Sequence, residues 1–388
     1  MPPSRRTVAV LVAVTAVTVG IGIGARMATR RPFITDLPTL YRARAIRPGA
    51  APYVDRRLEY PVLVGAAFYG ATFVASTPRS FFLVTALATG VLALAGAYLL
   101  ARYAGRRAWY WALAPPLALY GSLNWDLLAI VPAVAGAIAF VAGADVAAGV
   151  LLGLGGAAKV YPALFLPVFA VARVRDGDRR GALRLLAAAI GTVVVVNVPV
   201  LAASPSGWWY PLHFQARRAA TWGSLAHYVL APPGIGPWAS AATERSLANL
   251  GAAAGVVVGI VVASVLVWRR RLDPIAGAGA ATVAFLVTNK IYSPQYDLWF
   301  VPFLVLLVVP WRHVAAFFVV DAAVFALVFG RLGHHYRWTV VWAWCLGALV
   351  VARTVVMIWS IRDATPVRAP VTPESRPLPV REAEVSAA

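Results

Sequence analysis

Residues 80–101 read SFFLVTALATGVLALAGAYLLA, an uncharged run held between Arg79 and Arg102. At about 1.5 Å per residue a helix of that length rises about 30 Å, the thickness of a bilayer's hydrocarbon core. The stretch therefore reads as a membrane crossing, and runs of similar character recur at 7–25, 182–203, 247–268, 311–330 and 338–358. The 388-residue chain is 61% hydrophobic and only 13% charged, against about a quarter charged in soluble domains. An all-α polytopic membrane protein of about 11–13 transmembrane helices is expected. One transmembrane domain should occupy residues 1–362. The tail, 363–388, is rich in Pro, Glu, Arg and Ala without periodicity and is expected to be disordered.

The net charge of +20 comes from arginines clustered between apolar runs. That is the pattern that orients membrane helices with basic loops in the cytoplasm, and it argues against nucleic acid as the partner. Segments 173–184 and 268–273 are then cytoplasmic, as are the N-terminus, carried by an uncleaved first helix, and the tail. Large loops at about 29–60 and 204–246 fall on the outer face, together with TNKIYSPQYDLW (288–299). Between 61 and 172 the segments 61–77, 80–101, 108–121, 124–142 and 145–172 must make an odd number of crossings. Five would turn Arg106 and Arg107 outward, against the bias, so a broken or re-entrant element near Lys159–Pro162 is the expected repair.

Polar residues in such a chain are costly, so their positions point to chemistry. Of 35 basic residues only Lys159 and Lys290 are lysines, each at the edge of an apolar run before an aromatic and a proline. A compact ammonium lining a cavity is one reading, snorkelling to the interface the other. The first outer loop carries Asp36, Asp55, Glu59 and Tyr60, and composition leaves it open between a functional loop and an aromatic interfacial one. In the second outer loop His213, Arg217 and Arg218 stand among tryptophans, a mixture suited to a phosphate and a sugar. Tyr292 and Gln295 place two more polar groups beside Lys290. Asp297 falls in a first helical turn, where a carboxylate that simply favours the helix dipole is as good a reading as a catalytic one. The histidines lack H-E-x-x-H spacing and there is no Walker A sequence, so neither a zinc site nor a nucleotide is expected, and no cofactor is called for.

An outer loop opening with D-L-x-x-x-Y (Asp36 to Tyr41) and closing at Tyr60–Pro61, then Asn124, a K-x-Y-P element (Lys159, Tyr161, Pro162) and Ser293–Pro294 follow in order. Together they resemble the GT-C glycosyltransferases, and more narrowly glycosyltransferase family 87, the polyprenyl-phosphate-mannose-dependent mannosyltransferases. The chain departs from the pattern at Val62, where many members continue Y-P-P, and at Gln295–Asp297 after the S-P step. The resemblance implies an inverting transferase of the outer face of the plasma membrane. It would move a hexose, mannose foremost, from a polyprenyl monophosphate to a lipid or glycan acceptor. It implies Asp36 as catalytic base; Lys290, Arg217, Arg218, Lys159, Tyr292, Gln295 and His213 would attend the donor's phosphate and sugar. Asp55, Glu59 and Tyr60 would orient the acceptor, unless the two acids simply pair with Arg56 and Arg57. The competing expectation is a transporter or lipid flippase with Lys159, Lys290, Asp126 and Asp321 along a polar path.

Overall fold

The computed structural model describes residues 3–28, 35–332 and 339–367, with side chains of the 311–332 helix described to Phe329. Residues 29–34 of the first loop lie outside the described residues, as does the part of the expected disordered tail (363–388) beyond residue 367; of its first residues, Thr365–Pro366 are ordered in a strand pair.

The described residues are mostly helical. Helix α1 (Arg5–Ala28) leads to α2 (Asp36–Arg44) in the first loop, then α3 (Val62–Thr72) and α4 (Pro78–Ala104). Thr77 and Ser80 close a reciprocal cap on α4, so the uncharged run at 80–101 starts cleanly. Next come α5 (Trp109–Ala112) and α6 (Pro115–Tyr120), separated because Pro115 and Pro116 cannot continue a helix, then α7 (Leu127–Val141) and α8 (Asp145–Ala158). Beyond a short turn at Tyr161–Leu164 follow α9 (Phe165–Arg175), α10 (Arg179–Ala203), α11 (Pro205–Arg217), α12 (Leu225–Leu230) and α13 (Ala241–Trp268). The chain ends with α14 (Pro274–Thr288), α15 (Asp297–Leu306), α16 (Trp311–Leu332) and α17 (Val340–Arg362). Among the described residues strand is confined to Leu307–Val308 paired antiparallel with Thr365–Pro366.

Six helical spans among the described residues are long and apolar enough to cross a membrane, and the protein is an all-α polytopic membrane protein. α10 and α13 keep valines such as Val194, Val195, Val257 and Val258 exposed, as helices facing lipid do. A small residue lets α8 approach α10 closely: a Cβ on Gly149 of α8 would overlap the Leu185 carbonyl of α10.

The bundle has two chemically different ends. At one, Arg107 donates to the carbonyl of Leu304 at 2.8 Å, Arg173 pairs with Asp145 at 2.7 Å, and Arg270 with Asp176 at 2.9 Å. Loops 45–61, 121–126, 204–240 and 289–296 gather at the other. Arg107 thus shares an end with Arg173, and the chain reaches this arrangement through α3. That helix has 11 residues, about 17 Å of rise. Its far end returns beside the first loop, where the Tyr41 hydroxyl donates to the Ala75 carbonyl at 3.3 Å. The non-crossing element is therefore at 61–77. Lys159–Pro162 is instead a break between two passages, α8 and α9, with the lysine at the loop-bearing end.

Candidate functional site

Three interruptions of the helical bundle, at 121–126, 159–161 and 289–296, wall a cavity of about 760 Å³ together with segment 218–223. Irregular backbone at this depth is tolerable because it lines an open space where water satisfies its polar groups. Asp36, at the start of α2, faces the cavity from one side. The Asn124 side-chain amide donates to its carboxylate at 3.0 Å and to the Tyr60 hydroxyl at 2.8 Å, tying the first loop to the α6–α7 turn. The Thr35 hydroxyl reinforces that link by donating to the Leu123 carbonyl at 2.8 Å. Asp36 is open to the cavity yet walled laterally by protein. Burial pushes its pKa upward, opposed by the Asn124 hydrogen bond and the Lys159 charge.

Lys159 approaches from the α8–α9 break. Its ammonium lies 3.2 Å from Asp126 and 5.4 and 5.7 Å from the ring centres of Tyr60 and Tyr296. Asp126 also accepts from the Trp299 indole at 2.7 Å. Below the cavity Tyr296 stacks on Trp299 at 4.1 Å, and Trp299 on Tyr161 at 4.5 Å. The lysine is therefore held on a floor of rings and one carboxylate, a setting that keeps an ammonium desolvated but paired. Its K-x-Y-P spacing makes sense in this light, since the aromatic two residues on supports the floor.

The opposite wall is segment 218–223, fastened to 290–292. Thr221 donates its amide to the Lys290 carbonyl at 2.9 Å and its hydroxyl to the Tyr292 carbonyl at 3.0 Å, and accepts from the Tyr292 amide at 2.8 Å. Arg218 lines the cavity on this wall, as do Tyr292 and Gln295 on the segment facing it. Gly223 lets the two segments touch: a Cβ there would come within 2.5 Å of the Tyr292 carbonyl oxygen. Gly223→Ala is expected to push the segments apart and cost about 1–3 kcal/mol, read as a lowered unfolding temperature of the purified protein in detergent.

Not every expected residue meets in this space. Lys290 is 4% exposed and its ammonium donates to the carbonyls of Ala216 and Arg218 at 3.0 and 2.6 Å, so it staples the wall rather than lining it. Glu59 pairs with Arg44 at 2.7 Å, and Asp55 accepts from the Ala51 amide at 2.8 Å; neither is bound to Arg56 or Arg57. His213 and Arg217 open, with Asp55, into a neighbouring cavity. Nor do the four residues of the transport reading form one path. Lys159 and Asp126 pair at the cavity floor, Lys290 is held by backbone carbonyls, and Asp321 accepts from Tyr120 at 2.9 Å in a separate cluster.

That cluster is what the sequence did not disclose. Arg353 of α17, 1% exposed, donates to the Gly223 carbonyl at 2.7 Å, lies 3.5 Å from Asp297 and stacks 3.7 Å from the centre of the Tyr292 ring. The Tyr292 hydroxyl donates in turn to Asp297. Asp297 is fully buried at the start of α15 and serves this network, in place of a solvent-facing cap. An arginine within ALVVARTVVMI (348–358) was the available signal, since a charge in mid-helix demands a buried partner.

The sequence profile of glycosyltransferase family 87 matches residues 58–289. The match takes in Tyr60, Asn124, Lys159 and Arg218, and leaves Asp36 and 290–297 outside it. Comparison with curated proteins finds no match. With more than half of the chain matched, on a polytopic helical frame whose irregular loops enclose a polar cavity, the protein belongs to glycosyltransferase family 87 and is a membrane glycosyltransferase.

Proposed function

We propose that the enzyme transfers a hexose, mannose by the family resemblance, from a polyprenyl monophosphate to a lipid or glycan acceptor at the outer face of the plasma membrane. The observation that carries this reading is the charge distribution of the 760 Å³ cavity: among the described residues lining it, Asp36 is the one carboxylate and Lys159 and Arg218 are the cations. An acceptor hydroxyl is a poor nucleophile at neutral pH. Asp36 takes its proton as the oxygen attacks the anomeric carbon. The new glycosidic C–O bond forms as the bond from that carbon to the phosphate oxygen breaks, and the phosphate leaves with the electron pair, inverting the carbon. Lys159 and Arg218 offset the charge gathering on the phosphate. Tyr60 and Tyr296 supply ring faces for the sugar, and Gln295 a hydrogen-bonding side chain.

The outer-face assignment is supported by the grouping of Arg107, Arg173, Arg175 and Arg270 at the opposite end, which positive-inside bias places in the cytoplasm. Arg218 then stands on the side where bias disfavours it, as a functional cation would.

The test is to give the purified protein labelled polyprenyl-phospho-mannose, other polyprenyl-phosphate hexoses and a panel of membrane-lipid acceptors. Labelled glycolipid should form; no transfer from any of these donors overturns the reading. Lys159→Met keeps the stem over the rings and removes the charge. It is expected to lower kcat about 10–100-fold by withdrawing one cation from the leaving phosphate, as measured by steady-state transfer rates.

A further inference from the structure

Arg217 and Arg218 are neighbours in sequence but open into different cavities. The second cavity, about 750 Å³, lies between residues 53–57 of the first loop and α11. Three cations face it, Arg56, Arg57 and Arg217, all exposed. Among the described residues none of the three makes an ion pair, and Arg57 is engaged only over the Tyr210 ring at 5.5 Å. The single acid on its lining, Asp55, is turned back on its own loop, where it holds the Ala51 amide. Like charges gathered without a counter-charge are unfavourable unless something else supplies it.

The loop that carries Arg56 and Arg57 is tied down by hydrogen bonds. Tyr53 adopts φ 70°, in the left-handed region, and its amide donates to the Arg56 carbonyl at 2.6 Å. Its side chain, 4% exposed, anchors the loop through the hydroxyl to the carbonyls of Tyr60 and Pro61 at 2.8 and 2.9 Å. The first turn of α11 sits directly on this loop: a Cβ on Gly207 would overlap the Tyr53 carbonyl. Arg56 and Arg57 are thus presented on a fixed turn opposite Arg217, and Trp209 and Tyr210 line the same space with rings.

We infer that this second cavity binds a phosphate group, carried on the head group of the acceptor lipid, while the sugar-accepting hydroxyl reaches Asp36 past Tyr60. The guanidinium fork matches phosphate oxygens, and exposed rings suit a saccharide attached to it. The inference rests on the transferase reading for the word acceptor; the binding itself needs neither donor nor turnover, so its failure and that of the transfer reading are separately visible.

The experiment is calorimetric titration of the full-length protein in a nonionic polyoxyethylene detergent with dihexanoyl phosphatidylglycerol, dihexanoyl phosphatidylcholine and inorganic phosphate. It is repeated on Arg56→Gln/Arg57→Gln/Arg217→Gln, whose unfolding temperature is checked first. The anionic lipid should bind about tenfold or more tightly than the zwitterionic one, and the triple variant should lose that preference. Binding of inorganic phosphate alone, lost in the same variant, upholds the phosphate site and assigns it a free ligand. Equal affinity of wild type and variant for every probe, or equal affinity for the two lipids, overturns the proposal.

Discussion

Asp36→Asn is expected to reduce sugar transfer about 10²–10⁴-fold while leaving a folded protein, the range lost when a positioned general base is removed. The substitution is isosteric, and the Asn124 amide that donates to the carboxylate at 3.0 Å still finds an oxygen to accept it. Asp36 makes no ion pair among the described residues and faces open space, so little packing depends on its charge. The pH dependence sharpens the test. Burial raises the Asp36 pKa, and a base works only when deprotonated. Transfer should therefore fall as pH drops through that raised pKa, with the acid limb displaced upward from that of a freely solvated aspartate. Asp36→Asn should lose the limb together with the activity. Wild-type rates in the variant would remove Asp36 from the mechanism and leave the proton without a carboxylate acceptor among the described residues of the cavity lining.

Arg353→Met should cost about 3–5 kcal/mol of stability, the usual penalty for leaving a buried charge without its partner. It strips Asp297 of its nearest cation, leaves the Gly223 carbonyl without its donor and uncovers the Tyr292 ring. Because Gly223 and Tyr292 belong to the two segments that wall the cavity, the loss should show as a lowered unfolding temperature in detergent together with a raised KM for the donor. Removing both charges tests the cause. Arg353→Met/Asp297→Leu should recover much of the stability, since an apolar pair of similar volume often replaces a buried ion pair without loss. A double variant no more stable than the single one would show that the arginine acts through its carbonyl bond and ring contact instead.

How far the sequence carried can be seen residue by residue. Hydrophobic length identified the crossings, because a helix must satisfy its own backbone in lipid and 80–101 is long enough to do so. Arginine clustering placed 173–184 and 268–273 at one end, and the structure groups their arginines there. Segment 61–77 misled because apolar composition does not say where a helix points. α3 is apolar and short, and only its contact with the first loop through Ala75 reveals that it turns back. Lysine usage singled out Lys159 and Lys290 equally, yet one lines the cavity and the other closes a wall. A side chain's partner is a tertiary fact, and nothing in KIYSPQ foretells the carbonyls of Ala216 and Arg218.

The sequence by itself determined the membrane-spanning helical character, the family resemblance and a short roster of polar residues, since those depend on local composition and motif order. Only the tertiary structure decided which members of that roster share a space. Asp36, Asn124, Lys159 and Arg218 lie up to 182 residues apart (218 − 36) and meet because helix breaks in separate passages coincide at one depth. The Asp297–Arg353 pair beneath them, 56 residues apart, was equally invisible. Charges buried in an apolar bundle must find each other, but which ones do is set by how the helices pack.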